Sequence, residues 1–370
     1  MTALAVLAVL AWLYLALLHG RFWQAGPVLM AVRPRVAPAV DIVVPARDEA
    51  DVIGAALASL LAQDFAGAFR VVLVDDGSTD GTGDVARALS DPRLSVLHGA
   101  ARPVGWAGKL WAVHQGVAAT KAAWLLLTDA DIVHDPAHLS ALMAQAERSG
   151  ADLVSEMVEL ACESRAERAL VPAFVYFFQL LYPFARVNDA RGRVAAAAGG
   201  TVLVRRAALE RIGGIEAIRG ALIDDVALAR AVKRGGPIWL GHSALARSVR
   251  PYPGFADIFR MVARSAYVQL RFSPVLLAGT LLGLALLFWV PPVAAVAGAG
   301  PARWLGVVAW AGMAATLLPT LRRFRLSPLR APLLPAMATF YMAATLASAL
   351  DHHRGRGVVW KRRAYTERQA

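Results

Sequence analysis

Apolar and polar positions follow two different rhythms along this chain. At both ends the apolar residues run on without charge, whereas in the middle short apolar runs alternate with amphipathic stretches. Residues 3–18 are uncharged and apolar, and Arg21, Arg33 and Arg35 follow them. A bilayer span takes about 17–25 such residues, so this is a short span whose trailing positive charge directs the chain into the cytoplasm. A secretory signal would carry its positive charge before the apolar stretch, and this segment has none there. Residues 274–300 and 304–318 read as further spans, with Pro291-Pro292 interrupting the first. The loop from Arg322 to Arg330 is strongly basic and is expected on the cytoplasmic side. Residues 332–350 form a third apolar stretch. Three full spans after a cytoplasmic domain would put the C-terminus outside, yet Arg354, Arg356, Lys361, Arg362 and Arg363 favour the inside. The stretch is therefore either a third span or a re-entrant segment that removes the conflict.

Between these ends, residues 41–45, 70–75, 94–97 and 124–128 have the compact apolar character of strands. Residues 49–63, 82–89 and 110–119 read as helices between them. This β-α alternation implies an α/β fold with a mostly parallel, doubly wound sheet. The expected organisation is an N-terminal transmembrane helix (1–20), a cytoplasmic catalytic domain (40–272), a C-terminal membrane region (274–350) and a basic tail (351–370).

Composition agrees with a membrane protein. The 370 residues are 57% hydrophobic, and the mean hydropathy of +0.49 is too high for an ordinary soluble chain. The net charge of +12 suits an anionic cytoplasmic leaflet better than nucleic acid, because the arginines flank apolar segments. A single cysteine, Cys162, excludes an intrachain disulfide and a cysteine-based metal site, and reads as an inert thiol in a reducing compartment. The chain has no internal repeat and no low-complexity linker.

The candidate chemistry sits at the ends of the strands. Residues 122–127 lead straight into Asp129-Ala130-Asp131. Open α/β sheets bind ligands beyond the carboxyl ends of their strands, and paired carboxylates there suit Mg²⁺ or Mn²⁺ with a phosphate-bearing substrate. Pro45-Ala46-Arg47-Asp48-Glu49 ends the first strand, and Asp75-Asp76-Gly77-Ser78-Thr79-Asp80-Gly81-Thr82 ends the second. Each alone is ordinary turn and capping chemistry, but three such segments on one edge of one sheet point to a nucleotide site. Gly105-Trp106-Ala107-Gly108-Lys109 precedes a helix, where a lysine and a helix N-terminus both attract phosphate; a solvated surface lysine is the competing account. Gly199-Gly200-Thr201 allows close backbone approach by a ligand, or marks a bulge. Asp224-Asp225 opens a further helix as caps or as a general base.

Taken in order, these motifs resemble family 2 glycosyltransferases over residues 40–240. The membrane-tailed layout, the segment Gly105–Ala112 and the ending Gly355-Arg356-Gly357-Val358-Val359-Trp360-Lys361 are most similar to the hopene-associated bacterial branch, which is itself similar to ceramide glucosyltransferases. The resemblance implies a GT-A fold, a nucleotide-diphospho-sugar donor (UDP-sugar), a divalent cation and inversion at the anomeric carbon. Carried over by motif, Pro45, Ala46, Arg47 and Glu49 would hold the nucleoside. Asp76 would contact the base with Asp75 beside it, and Lys109 would lie near the donor. Asp129 would orient the sugar or ribose, Asp131 would hold the metal, and Gly199, Gly200 and Thr201 would shape the acceptor side. Asp225 would be the base, with Asp224 beside it where the family usually has glutamate. The Gln-x-x-Arg-Trp signature of processive synthases is not in register here, which weakens the case for a polymerase.

The acceptor is expected to be a lipid hydroxyl, hopanoid or sphingoid in kind. Residues 171–187 are aromatic-rich and lie in sequence between the metal and base motifs, reading either as an interfacial helix or as a buried core helix. Two other readings stand beside this one: a polyprenyl-phosphate sugar synthase, and a membrane scaffold that has lost catalysis. The expected location is the bacterial inner membrane, multi-pass, with the catalytic domain facing the cytoplasm.

Overall fold

A computed structural model describes residues 1–355 and the backbone of 358–360 and 363–365. The side chains of the basic tail from Arg356 onward, and the C-terminal motif they belong to, lie outside the described residues. The chain divides into two units: one made of residues 27–161 and 186–251, the other of residues 1–26, 162–185 and 252–355.

The first unit is built on an eight-stranded sheet: β1 (Val40–Ala46), β2 (Phe69–Asp75), β3 (Leu94–His98), β4 (Trp124–Thr128), β5 (Ile132–His134), β6 (Leu153–Glu159), β7 (Thr201–Arg205) and β8 (Ile238–Ser248). Their order across the sheet is β3-β2-β1-β4-β7-β6-β8-β5. The first four strands pair in parallel, as the β-α alternation requires. Every residue of β1 is buried because both faces are covered. Ile42, Val44 and Leu73 pack on one face with Ile53, Leu57 and Leu60 of the helix Ala50–Leu61. Val72 and Val74 point the other way and pack with Ala112 of the helix Gly108–Ala118. The strands expected at 41–45, 70–75, 94–97 and 124–128 match β1 to β4 within one residue at either end. The helix expected over 82–89 is shorter, Thr82–Arg87, and that expected from 110 begins at Gly108.

Beyond β4 the parallel pattern stops. β7 runs antiparallel to β4, with Thr128 opposite Thr201, and β6 runs antiparallel to β7. β8 is parallel to β6, and β5 closes the edge antiparallel to β8. The reversal at β7 places the residues just before its start beside those just after the end of β4.

The second unit is helical. Its segments are Thr2–Leu17, Arg165–Leu181, Phe255–Gln269, Pro274–Ala297, Pro301–Arg323 and Leu334–His353. Among the described residues, four helical stretches could cross a membrane by length and composition: Arg165–Val187, Pro274–Ala297, Pro301–Arg323 and Pro328–His353. The N-terminal helix has 16 residues and is shorter than these; Trp12 Nε1 donates to the Leu287 carbonyl at 2.8 Å. Pro291-Pro292 does not break its helix. A wide turn over Ala285–Trp289 accommodates the missing donors, and the helix continues to Ala297. The stretch expected as a span or a re-entrant segment is one unbroken helix, Leu334–His353. Within the segment 171–187, Tyr176 is fully buried and its hydroxyl pairs with Thr316 Oγ1 at 2.7 Å, so this helix packs inside its unit.

Candidate active site

The ends of β1 and β2 are laced together. Asp76 N–H donates to the Ala46 carbonyl at 2.9 Å. Asp48 N–H donates to Ser78 Oγ at 3.0 Å, Thr79 N–H to Asp48 Oδ1 at 2.9 Å, and Glu49 N–H to Thr82 Oγ1 at 2.8 Å. Asp48 takes a left-handed conformation, φ 49°, to make this turn. Arg47 donates to the Asp76 carbonyl, and its guanidinium lies 3.6 Å from Asp76 Oδ2. Asp75 and Asp76 are both buried; Asp75 Oδ1 accepts from Ser78 N–H at 2.9 Å. Pro45 lines the adjoining cleft, and Ala46 stays in the buried strand. The acidic loop after β2 is therefore a rigid shelf, its conformation fixed by short polar side chains that satisfy backbone donors.

The register of β4 with β7 assembles the rest. Gly200 O accepts from Asp129 N–H at 3.2 Å and from Thr128 Oγ1 at 2.8 Å. The glycine pair thus sits directly against the Asp129–Asp131 turn. On the other side of the cleft, Lys109 Nζ lies 2.8 Å from Asp129 Oδ1 and 3.0 Å from Asp224 Oδ2. Burial works against the lysine charge, but Asp129 and Asp224 outweigh it and hold its pKa above the ordinary value. Asp225 opens the helix Asp224–Lys233 and is pushed up to about 7, first by burial and then by the neighbouring Asp224 carboxylate. Burial likewise raises Asp129, with Lys109 opposing. A Cβ on Gly199 would come within 3.1 Å of Asp225 Oδ2, so a larger residue there would push that carboxylate by a few tenths of an ångström. Thr201, expected on the acceptor side, is fully buried as the first residue of β7 and is not among the residues that line the cleft with Gly199.

Sequence reasoning missed Arg250. Its Nε lies 2.6 Å from Asp131 Oδ2 and its Nη2 lies 2.6 Å from Glu49 Oε1. Asp131 and Glu49 prevail over burial and keep this guanidinium firmly charged. A lone arginine past the end of β8 has no spacing signature; only the pairing of β5 with β8 brings it to the site. Ion pairs consequently join Glu49 to Asp131 through Arg250, and Asp129 to Asp224 through Lys109.

Among the described residues, no group of three or more His, Cys, Asp or Glu side chains could hold a metal by itself. The donor chemistry nevertheless fits a hard cation that shares its shell with a diphosphate. Asp131 offers a carboxylate next to Asp129, and such sites use one or two protein carboxylates plus substrate oxygens.

Residues 41–213 match the family model for glycosyl transferase family 2. The succinoglycan biosynthesis protein ExoO of Rhizobium meliloti is 32% identical over 123 residues, which is 33% of this chain and 34% of that protein. An N-acetylglucosaminyltransferase of Bradyrhizobium elkanii is 40% identical over 78 residues, 20% of this chain and 38% of that one. The chain thus spans about a third of the length of these curated relatives. The mannosyltransferase PcManGT from Pyrobaculum calidifontis, solved in complex with GDP-Man and Mn²⁺, has a TM-score of 0.58 at 22% identity, covering 95% of this chain and 98% of that one. That likeness is one of fold. The match to glycosyl transferase family 2 covers residues 41–213, and the chain has a GT-A-like α/β fold with a mostly parallel sheet.

Proposed function

We propose that this chain is a membrane-bound inverting glycosyltransferase that moves a sugar from a nucleotide-diphospho-sugar, a UDP-sugar in our reading, to a lipid hydroxyl. The observation that carries the reading is the convergence of Lys109, Asp129, Asp224, Asp225 and Gly199 on one cleft at the strand ends of a family 2 domain.

The residue chemistry suits that reaction. Pro45, Arg47, Glu49, Asp75 and Asp76 form the nucleoside side. Lys109, held charged by its two carboxylates, faces the region where negative charge develops on the leaving diphosphate. Asp131, with Asp129 beside it, is the cation ligand; when bound, Mg²⁺ or Mn²⁺ supplies Lewis-acid neutralisation of that charge. Asp225 takes the acceptor hydroxyl proton. A carboxyl that titrates near neutrality is matched to this task, and general-base assistance contributes about 10²–10⁴-fold. Gly199 lets the acceptor oxygen approach Asp225.

The four helices long enough to cross a bilayer argue for an acceptor that resides there, in the hopanoid or glycolipid class. The basic loop 322–330 argues for a bacterial inner membrane with the transferase domain on the cytoplasmic side. The test is to incubate the purified protein with a panel of nucleotide sugars and total membrane lipid and to identify the product by mass. A new glycolipid is expected. Transfer to water-soluble acceptors alone refutes the lipid assignment. A polyprenyl-phosphate sugar that forms equally well with Asp225→Asn marks a synthase in which a phosphate oxygen attacks.

A further inference from the structure

The reaction outlined above leaves one buried polar chain unused. Glu156 on β6 pairs through Oε1 with His138 Nε2, and both side chains are fully buried. His138 Nδ1 meets His134 Nδ1 at 3.0 Å, and His134 Nε2 meets Thr128 Oγ1 at 3.2 Å. Thr128 then donates its hydroxyl proton to the Gly200 carbonyl at 2.8 Å. The chain ends at the residue immediately before Asp129.

The direction of the last bond fixes the rest. A threonine hydroxyl has one proton, and Gly200 O can only accept. His134 must therefore donate from Nε2. Each of the two remaining links, between the Nδ1 atoms and between His138 and Glu156, also needs one proton. Three protons shared among two imidazoles and one carboxyl make the chain neutral overall. Burial, with His138 adding to it, holds the His134 pKa well below its ordinary value, which agrees with a neutral ring at that position. Glu156 Oε2 has no hydrogen-bond partner among the described residues. An ionised carboxylate in that state would be costly, whereas the carbonyl oxygen of a neutral network is much less so.

We propose that Glu156, His138 and His134 are positioning residues, a neutral buried relay that pins Thr128 and thereby holds the Asp129–Asp131 turn against Gly200. The turn's role in donor binding rests on the transferase reading above; the relay itself does not. Its chemistry sets a specific condition. Glu156→Gln places an amide N–H where the third proton sits and keeps all three links and the neutrality. Glu156→Leu removes the link. Thr128→Val leaves Glu156, His138 and His134 bonded to one another but disconnects them from the turn.

The experiment combines steady-state kinetics with ¹⁵N-histidine spectra on the full chain. Glu156→Gln is expected to keep kcat within about twofold, while Glu156→Leu and Thr128→Val lower it by about 10–100-fold, the range seen when partners behind a ligand are removed. Thr128→Val should also lower the melting temperature, because it leaves the buried His134 Nε2–H without an acceptor; Thr128→Ser, which restores the hydroxyl, should return kcat to within about twofold, a rescue that loss of packing alone would not give. The wild-type spectrum should show His134 protonated at Nε2. The proposal is overturned by wild-type turnover in Thr128→Val, by Glu156→Gln falling as far as Glu156→Leu, or by an unprotonated His134 Nε2. If the wild type transfers no sugar, the transferase reading fails, and the spectrum still decides the relay.

Discussion

Gly199 and Asp225 are in contact distance without a side chain between them: a Cβ at position 199 would lie 3.1 Å from Asp225 Oδ2. The two residues come from different elements, and the gap they leave is where an acceptor hydroxyl would meet its base. Gly199→Ala should therefore lower kcat by roughly 10-fold or more with donor KM nearly unchanged, because a misplacement on the ångström scale costs up to about 10²-fold. Wild-type kcat in the alanine variant would remove Gly199 from the acceptor side.

The elevated Asp225 pKa gives a pH dependence with a definite sign. The carboxyl is protonated below about 7 and can act as a base only above it. The rate should rise with slope one through about pH 7 and level off beyond. Asp225→Asn should abolish that limb and most of the turnover, about 10²–10⁴-fold, while donor binding persists. Stability runs the other way. The folded chain holds this proton between the ordinary 3.8 and about 7, where the unfolded chain has lost it. Asp225 therefore favours folding most at low pH, and its contribution is lost as pH rises through about 7. Thermal melts of wild type and Asp225→Asn across this range would show it.

Lys109 is the cation shared by Asp129 and Asp224. Lys109→Met leaves two carboxylates facing each other without it. Breaking a buried pair costs about 3–5 kcal/mol, and partial solvent access to this one reduces the expected loss to about 1–3 kcal/mol. Donor affinity should fall as well. Titration of nucleotide diphosphate into the variant, alongside a denaturation curve, separates the two effects; unchanged values for both would leave Lys109 outside the site.

Arg250 holds Asp131 Oδ2 and Glu49 Oε1 at 2.6 Å each. In Arg250→Ala the two acids lose their counter-charge, so the melting temperature should drop. Mn²⁺ should then bind more tightly without nucleotide than it does to the wild type, because the guanidinium no longer competes for Asp131. Equal Mn²⁺ affinity in calorimetry would argue that Asp131 is not a cation ligand.

β1, β2 and β4 were legible because strands covered on both faces read as unbroken apolar runs, and the loops after them carry turn residues with few alternatives. β5, β6 and β8 were not. β5 is three residues long, and β8 contains Gly241, His242 and Ser243, so neither has a clear period. Arg250 was hidden for the same reason, since its place depends on a pairing that local pattern does not encode. His134 and His138 drew no attention in the sequence, because their partner Glu156 sits on an unrecognised strand. The burial of Thr201 was not legible, because the motif names its position without telling how β7 is covered.

The opposed alignment of β4 and β7 has one more consequence. Because Thr128 and Thr201 form the last rung, sliding one strand by a single position would carry Gly199 and Gly200 away from Asp129 and turn every neighbouring side chain to the opposite face. A molecule trapped in that slipped arrangement could keep its helices and much of its hydrophobic packing while its two half-sites no longer met. Competence would then be decided during assembly of the sheet, and inactive but soluble-looking material from a mutant in either strand would be a failure of alignment with the chemistry untouched.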